Sequence, residues 1–478
     1  MNKSVVINLG SGDLYNGFPV VTAQVWSAGT SRPQQFIGSL AAAPNLIELY
    51  KNWQDLYKNL CDRKYLRSPK KYSHFNDDDE LEIDSSGVTN ISVIGFEELC
   101  QQLQESINTW LKSCEFLNID KQLRSQLHPT EEIQVVFQTS DSLLRRLPWH
   151  RWDFFKDYPL AEIAISRPEY KRKESLQSKL PKKNIRILAI LGNSKNIKLE
   201  TEIQFLKDLK DSEVVFLVNP SRQEFNTYLW QKPGWDILFF AGHSQTEGDI
   251  GRIYINEHPT NNSLTIEQLQ EALKAAIENG LQLAIFNSCD GLGLGLSLEK
   301  LNLPTAIVMR EPLPNLVAEE FFQHFMAAFA IARLPLYLAV QQARRKLQGL
   351  EDEFPGASWL PVICQNPAVE PPTWLKLGGI PPCPYRGLFA FGEEDAHLFF
   401  GREELRDCIE KPAAQMQVGL EKEMNRHKYR RKVLISCLVG SLVVASILAG
   451  TAIWQWHKAR VRGIQAIRQS SEVLITSN

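Results

Sequence analysis

The 478-residue chain carries almost no net charge: 53 Lys and Arg against 55 Asp and Glu leave a formal −2. That balance provides no general basic surface, so nucleic acid is not an expected partner. Cysteine is sparse, with eight residues at 61, 100, 114, 289, 364, 383, 408 and 437, and none of them forms a Cys-x-x-Cys pair. The pattern argues against a disulfide framework and against a zinc site; the expectation is free thiols in a reducing compartment. The chain contains no Gly-Lys dipeptide, hence no GxxxxGK[ST] phosphate loop, and no nucleotide is expected. The opening MNKSVVINLGSGD is too short and too polar for a signal peptide, which points the bulk of the chain to the cytoplasm. No cofactor and no metal are expected. The one acid-rich run, DDDE at 77–80, consists of adjacent side chains that cannot all face one cation, and it reads as a solvated loop.

What is present centres on Trp235 to Asp290. WDILFFAGHS and LQLAIFNSCDG are two apolar runs of strand length, and each closes on small residues and then a reactive side chain, His243 after Gly242 and Cys289 after Ser288. Between them SLTIEQLQEALKAAIENG places Leu264, Ile266, Leu269, Leu273 and Ile277 at helical spacing, with Thr265 and Gln268 as a capping box and Gly280 as the stop. Strand, helix and strand with so long a connection predict a right-handed βαβ unit with parallel strands. Both tips then emerge at the carboxyl edge of one sheet, where open α/β sheets bind ligands. Neighbouring strands lie about 4.8 Å apart, so the spacing brings an imidazole near a thiol, the pairing that holds a reactive thiolate near neutral pH. Taken singly, Cys289 reads as a small buried apolar residue and His243 as a turn residue; their joint placement makes the dyad the stronger reading.

The order His then Cys on consecutive strand tips resembles the caspase-like cysteine peptidases. The segments LFFAGHS, LAIFNSCDGLG, IVMREPLP, LQGLEDEFPGASWLPVICQNP, RLPWHRWDFF and LAEIAIS resemble more specifically the bacterial CHAT domains of that clan, over Ser4 to Leu377. The resemblance implies an α/β fold with a caspase-like, mainly parallel sheet covered by helices on both faces. It implies a cysteine endopeptidase acting on protein or peptide substrates, with Cys289 as nucleophile, His243 as general base and acid, and backbone N–H groups at Gly242 and Cys289 as oxyanion donors. Asp290, Asp249 and Glu247 are candidates to bind substrate, an acidic rim suiting a basic residue before the scissile bond. A regulatory protein partner is implied as well. The alternative is a catalytically silent CHAT scaffold for protein interaction and signalling.

The rest divides around that core. Residues 4–9 and 18–26 read as a hairpin, Ala43–Cys61 and Phe96–Leu117 as helices, 64–90 as a polar insertion, and 132–139 and 160–166 as strands, giving an N-terminal α+β part over 1–180. His150, between Trp149 and Trp152, reads as part of an aromatic corner rather than as a catalytic group. The basic run 171–183 is a linker to the core at 181–377, whose strands are IRILAIL, EVVFLV, WDILFFA, LQLAIFN and PTAIVM, with WLPVIC at 359–364 as a last edge strand. GLGLG at 291–295 reads as a flexible turn that lets substrate approach. Beyond a Pro/Gly linker, 378–432 resembles a remnant of a STAND-type NTPase region, without its phosphate loop. Val433 to Trp454 has 22 residues and no charge, enough to span a bilayer, with Trp454 and Trp456 as an interfacial anchor and a short tail over 455–478. Five basic residues before the span and four after it favour a cytoplasmic N-terminal side, so the expectation is a single-pass membrane protein with its catalytic domain in the cytoplasm.

Overall fold

The computed structural model describes residues 3–27, 32–61, 90–171, 184–193, 197, 199–248, 250–379, 450–460 and 462–463. In chain order the first part holds β1 (Lys3–Asn8), β2 (Phe18–Ser27), β3 (Gln34–Leu40), α1 (Asn45–Cys61), α2 (Asn90–Leu111), α3 (Leu117–Gln126), β4 (Ile133–Gln138), α4 (Ser142–Arg146), α5 (Phe154–Asp157) and β5 (Ala161–Ser166). The second holds β6 (Ile185–Leu191), α6 (Glu200–Lys207), β7 (Ser212–Val218), α7 (Arg222–Leu229), β8 (Ile237–Ala241), β9 (Ser244–Glu247), β10 (Ile250–Tyr254), β11 (Ser263–Thr265), α8 (Gln270–Glu278), β12 (Leu283–Asn287), α9 (Leu292–Lys300), β13 (Thr305–Met309), α10 (Asn315–Met326), α11 (Leu336–Leu347) and β14 (Pro361–Gln365).

Both parts build one eleven-stranded sheet, ordered β3-β2-β1-β4-β5-β14-β13-β12-β8-β6-β7. Residues Met1–Pro381 form one compact unit, and Pro382–Asn478 a second. Strands β5, β8, β12, β13 and β14 are buried at every residue. Continuous apolar runs such as ILFFA and TAIVM have no polar face to offer water, so they fold where helices cover both sides. β2 and β7 instead alternate or expose residues and lie toward the margins. Nine of its strands form two parallel blocks, and β2 and β3 add an antiparallel margin beyond β1. β1, β4, β5 and β14 run one way; β13, β12, β8, β6 and β7 run the other. The blocks meet at the antiparallel pair β13–β14.

Several expectations change here. WLPVIC is not an edge strand: β14 lies at the middle of the sheet and is the seam between its halves. Its uninterrupted burial is that of a central strand. The segment from Ser263 is not one helix, because it opens as β11, passes through a single 3-10 turn at Glu267–Leu269 and becomes helical only at Gln270. Gln268 does reach back to the Thr265 N–H at 3.0 Å, the half of the capping box that survives. The stretch after His243 folds into a small antiparallel sheet, β9-β10-β11. β8 and β12 are adjacent and parallel, as the βαβ reading requires.

The polar insertion 64–90, nearly all of the linker 171–183 and the NTPase-like stretch 378–432 fall on or mostly on residues outside those described. So does most of the expected span, of which 450–454 is described, as part of an exposed helix over 450–460. Among the described residues no helix is long and apolar enough to cross a membrane.

Candidate active site

The carboxyl edge of β8 and β12 carries both reactive side chains. The pair is in register, Ala241 opposite Asn287, so His243 and Cys289 each stand two residues beyond matched strand ends. Both are buried, His243 at 6% and Cys289 at 1% exposure. His243 is held through its backbone: its N–H donates to the Asn193 carbonyl at 3.4 Å, and its carbonyl accepts the Tyr254 N–H at 2.9 Å. The preceding Gly242 has φ +154°, and a Cβ there would stand 3.2 Å from Gly192 Cα and from the Phe240 ring, so only glycine suits the exit from β8.

After β12 the chain turns sharply into α9. Asp290 takes a left-handed conformation, φ +38°, beside Cys289, and Gly291 caps the helix. A non-glycine residue held there is the kind of local strain found at functional turns. β9 stitches this turn to the histidine strand. Its period-2 alternation points Ser244 and Thr246 the same way: the Ser244 hydroxyl donates to the Cys289 carbonyl and lies 2.8 Å from Ser288 Oγ. The Thr246 hydroxyl donates to the Asp290 carbonyl at 2.5 Å and accepts the Gly293 N–H at 3.3 Å.

GLGLG is therefore not a flexible turn. It caps and opens α9, and its small residues allow the helix to lie against β9 and β10. A Cβ on Gly251 would sit 2.3 Å from the Leu294 backbone nitrogen, and one on Gly293 would sit 2.8 Å from Thr246 Cγ2. Gly251→Ala should accordingly displace α9 and destabilise the chain by ~1–3 kcal/mol, the usual cost of overpacking. A urea midpoint unchanged from that of the unaltered chain would contradict this packing.

The third wall is the loop after β13. The Leu313 N–H donates to Cys289 Sγ at 3.1 Å, and Sγ stands 3.6 Å from the Leu313 carbonyl. Against this loop lies a residue that sequence reasoning passed over. Arg146, at the end of α4, donates to Asp290 Oδ1 at 3.1 Å and to Glu311 Oε1 at 3.0 Å, and also to the Arg310 carbonyl at 2.8 Å. Glu311, fully buried, receives the Tyr50 hydroxyl at 2.9 Å and the Gln54 amide at 2.6 Å from α1. Burial raises the Glu311 carboxyl above its ordinary range while Arg146 pulls it down, and burial likewise raises Asp290 against the same guanidinium. Arg310 is pushed down to about 10, chiefly by burial. The adjacent arginines of RRLPW carry no periodic signal, and only their partners reveal them.

The other candidates are dispersed. Asp290 is at the thiol's side but paired with Arg146. Glu247 is exposed at the β9–β10 hairpin, about 13 Å along the strand from His243. Asp249 lies outside the described residues. His150 packs edge-to-face on Trp359 with centroids 6.1 Å apart, and Trp149 stacks on Phe137 at 4.2 Å, the aromatic corner expected of that segment. Burial lowers the His150 imidazole well below its usual value. Among the described residues no cluster of three or more His, Cys, Asp or Glu is arranged to hold a metal.

A family model described as the CHAT domain matches residues 116–374, more than half of the chain. The chain belongs to the CHAT domain family. Similar solved structures include the Saccharomyces cerevisiae separase–securin complex at 3.0 Å resolution, with 11% identity, TM-score 0.44, and coverage of 76% of this CHAT chain and 30% of that chain. The same complex at 2.6 Å gives 12% identity, TM-score 0.38 and coverage of 76% and 30%. The Arg-specific cysteine proteinase gingipain R gives 9% identity, TM-score 0.34, and coverage of 60% of this chain and 70% of that one. The CHAT chain thus spans about a third of the separase chain's length. No curated protein matches it.

Proposed function

We propose that this CHAT protein is a cysteine endopeptidase with a His243/Cys289 dyad. The observation that carries the reading is the matched placement of the two residues beyond in-register parallel strands, with the nucleophile turn locked by Asp290 in a left-handed conformation. Cys289 attacks a peptide carbonyl, and the acyl group moves to sulfur. His243 takes the thiol proton and returns it to the departing amine; water then releases the acyl group and regenerates the thiol. Backbone N–H groups at Gly242 and Cys289 are the donors for the developing oxyanion. The Leu313 N–H at 3.1 Å from Sγ supports the same chemistry as a donor to the thiolate once it forms, while the Leu313 carbonyl at 3.6 Å accepts from the resting thiol. The substrate class is protein or peptide, access is gated by a partner, and the segment 433–454 tethers the chain to a membrane.

The other described thiols make the test selective. Burial pushes Cys100 up to about 12 and raises Cys364 well above the usual thiol range, and the Glu115 carboxylate raises Cys114. All three stay protonated near neutral pH and are poor nucleophiles. A peptidyl electrophile mimicking the acyl substrate should modify Cys289 at least about ten-fold faster than these three at pH 7.5, as read by mass spectrometry. Equal rates at all four would instead mark a scaffold that keeps the fold without the chemistry.

A further inference from the structure

Two adjacent arginines on α4 grip the segment that follows the nucleophile. Arg145 Nη1 reaches Glu299 Oε2 at 3.0 Å, near the end of α9, with both groups buried. Arg146 reaches Asp290, just before the start of α9. The second guanidinium does more, because it also holds Glu311 and the Arg310 carbonyl, and Arg310 donates in return to the Arg146 carbonyl. Glu311 is two residues before Leu313, whose N–H meets the thiol. One side chain thus joins both walls around Sγ, the turn 288–291 and the loop 310–313, and it comes from the half of the sheet that holds neither His243 nor Cys289.

We infer that Arg146 is a positioning residue for the Cys289 thiol: it fixes the Asp290 turn and the Leu313 hydrogen-bond donor relative to one another. The inference rests on Cys289 being the reacting group of the proposed dyad. The charged and titratable groups around this corner include Tyr50 and Lys58 on α1, Arg146 on α4, Glu202 on α6 through Asn287, His243 beyond β8, Asp290, Arg310 and Glu311 beyond β13, and Arg344 on α11 beside Arg310. In that set Arg146 is the cation placed between two carboxylates. Backbone bonds from the Asp290 N–H to the Glu311 carbonyl at 3.3 Å and from the Gly291 N–H to the Met309 carbonyl at 2.8 Å keep the turn and the loop in contact; without Arg146 the Asp290 and Glu311 side chains face each other unscreened, the Leu313 donor shifts against Sγ, and negative charge beside Sγ grows. Both effects disfavour the thiolate.

The test is the pH dependence of Cys289 alkylation by iodoacetamide in the full chain, followed on the Cys289 peptide by mass spectrometry. Arg146→Met should raise the midpoint by about one pH unit, so that alkylation on the acidic side slows about ten-fold. Arg146→Lys, which keeps the charge but not the two-pronged geometry, should fall between. Arg146→Met with Glu311→Gln restores the local charge balance with an isosteric amide and should return the midpoint to near that of the unaltered chain. A midpoint unmoved in Arg146→Met overturns the inference. So does a double variant as displaced as the single one, because a mere packing defect would not be cured by Glu311→Gln. Peptide cleavage is measured separately on the unaltered chain. Absence of cleavage together with the shifted and restored midpoints would refute the peptidase and leave the positioning role standing; cleavage with no shift would do the reverse.

Discussion

Replacing Cys289 by Ala should abolish peptide cleavage, with a fall of at least about a thousand-fold, and His243→Ala should fall nearly as far. The reason is that the two act as one unit. An imidazole without the thiol has no nucleophile to activate, and a thiol without the imidazole has neither a base for its proton nor an acid for the departing amine. Backbone donors alone preserve only residual catalysis. The double variant should therefore be no slower than Cys289→Ala, a non-additivity that independent contributions would not produce. The measurement is cleavage of a denatured, sequence-diverse peptide library by the full chain and the three variants; the cleaved bonds also identify the preferred residue before the scissile bond. If His243→Ala kept most of the cleavage, the dyad would be wrong even though the activity was real.

The second large effect is expected at the seam of the sheet. Glu162 on β5 and Arg344 on α11 form an ion pair at 2% and 5% exposure, and Arg344 also donates to the Pro361 carbonyl at 2.8 Å, at the start of β14. Removing the guanidinium in Arg344→Met leaves a carboxylate in the interior without its counter-charge and a strand carbonyl without its donor. Breaking one side of a buried pair costs ~3–5 kcal/mol, more than the pair contributes over an apolar replacement. Adding Glu162→Gln should recover a substantial part of that loss, because the uncompensated charge is gone. Urea unfolding of the single and double variants measures both. A single variant within about 1 kcal/mol of the unaltered chain would mean that water or rearrangement relieves Glu162, and that the seam does not depend on this pair.

The two predictions concern opposite halves of what could be read in advance. The strands ILFFA and LAIFN, the helix between them and the residues at their tips were legible because apolar runs of strand length, a helical repeat and a glycine stop are local signals, written within a few dozen consecutive residues. The parallel pairing of β8 and β12 followed from connection length alone, and the aromatic corner around His150 from the density of Trp and Phe beside it. WLPVIC was legible as a strand but not in its place. Whether a buried strand is central or marginal depends on what pairs with it, and its partners β5 and β13 lie far away in sequence. The same holds for the small sheet β9-β10-β11: short strands with mixed polarity resemble a loop until their hydrogen bonds are seen.

By itself, then, the sequence determined the elements of the carboxyl edge, the histidine and cysteine it carries and the absence of a phosphate loop, all of which depend on neighbouring residues. Tertiary structure alone decided how the thiol is surrounded. Arg146, Glu311, Tyr50 and Leu313 come from three separate places, α4, the loop after β13 and α1, and no periodicity relates an arginine on α4 to an aspartate on the turn after β12. Their convergence is set by the reversal of the sheet at β14, which brings the first half of the chain against α9. Burial then sets the energetics: charges withdrawn from water at that seam must find partners, and only the folded chain specifies which ones.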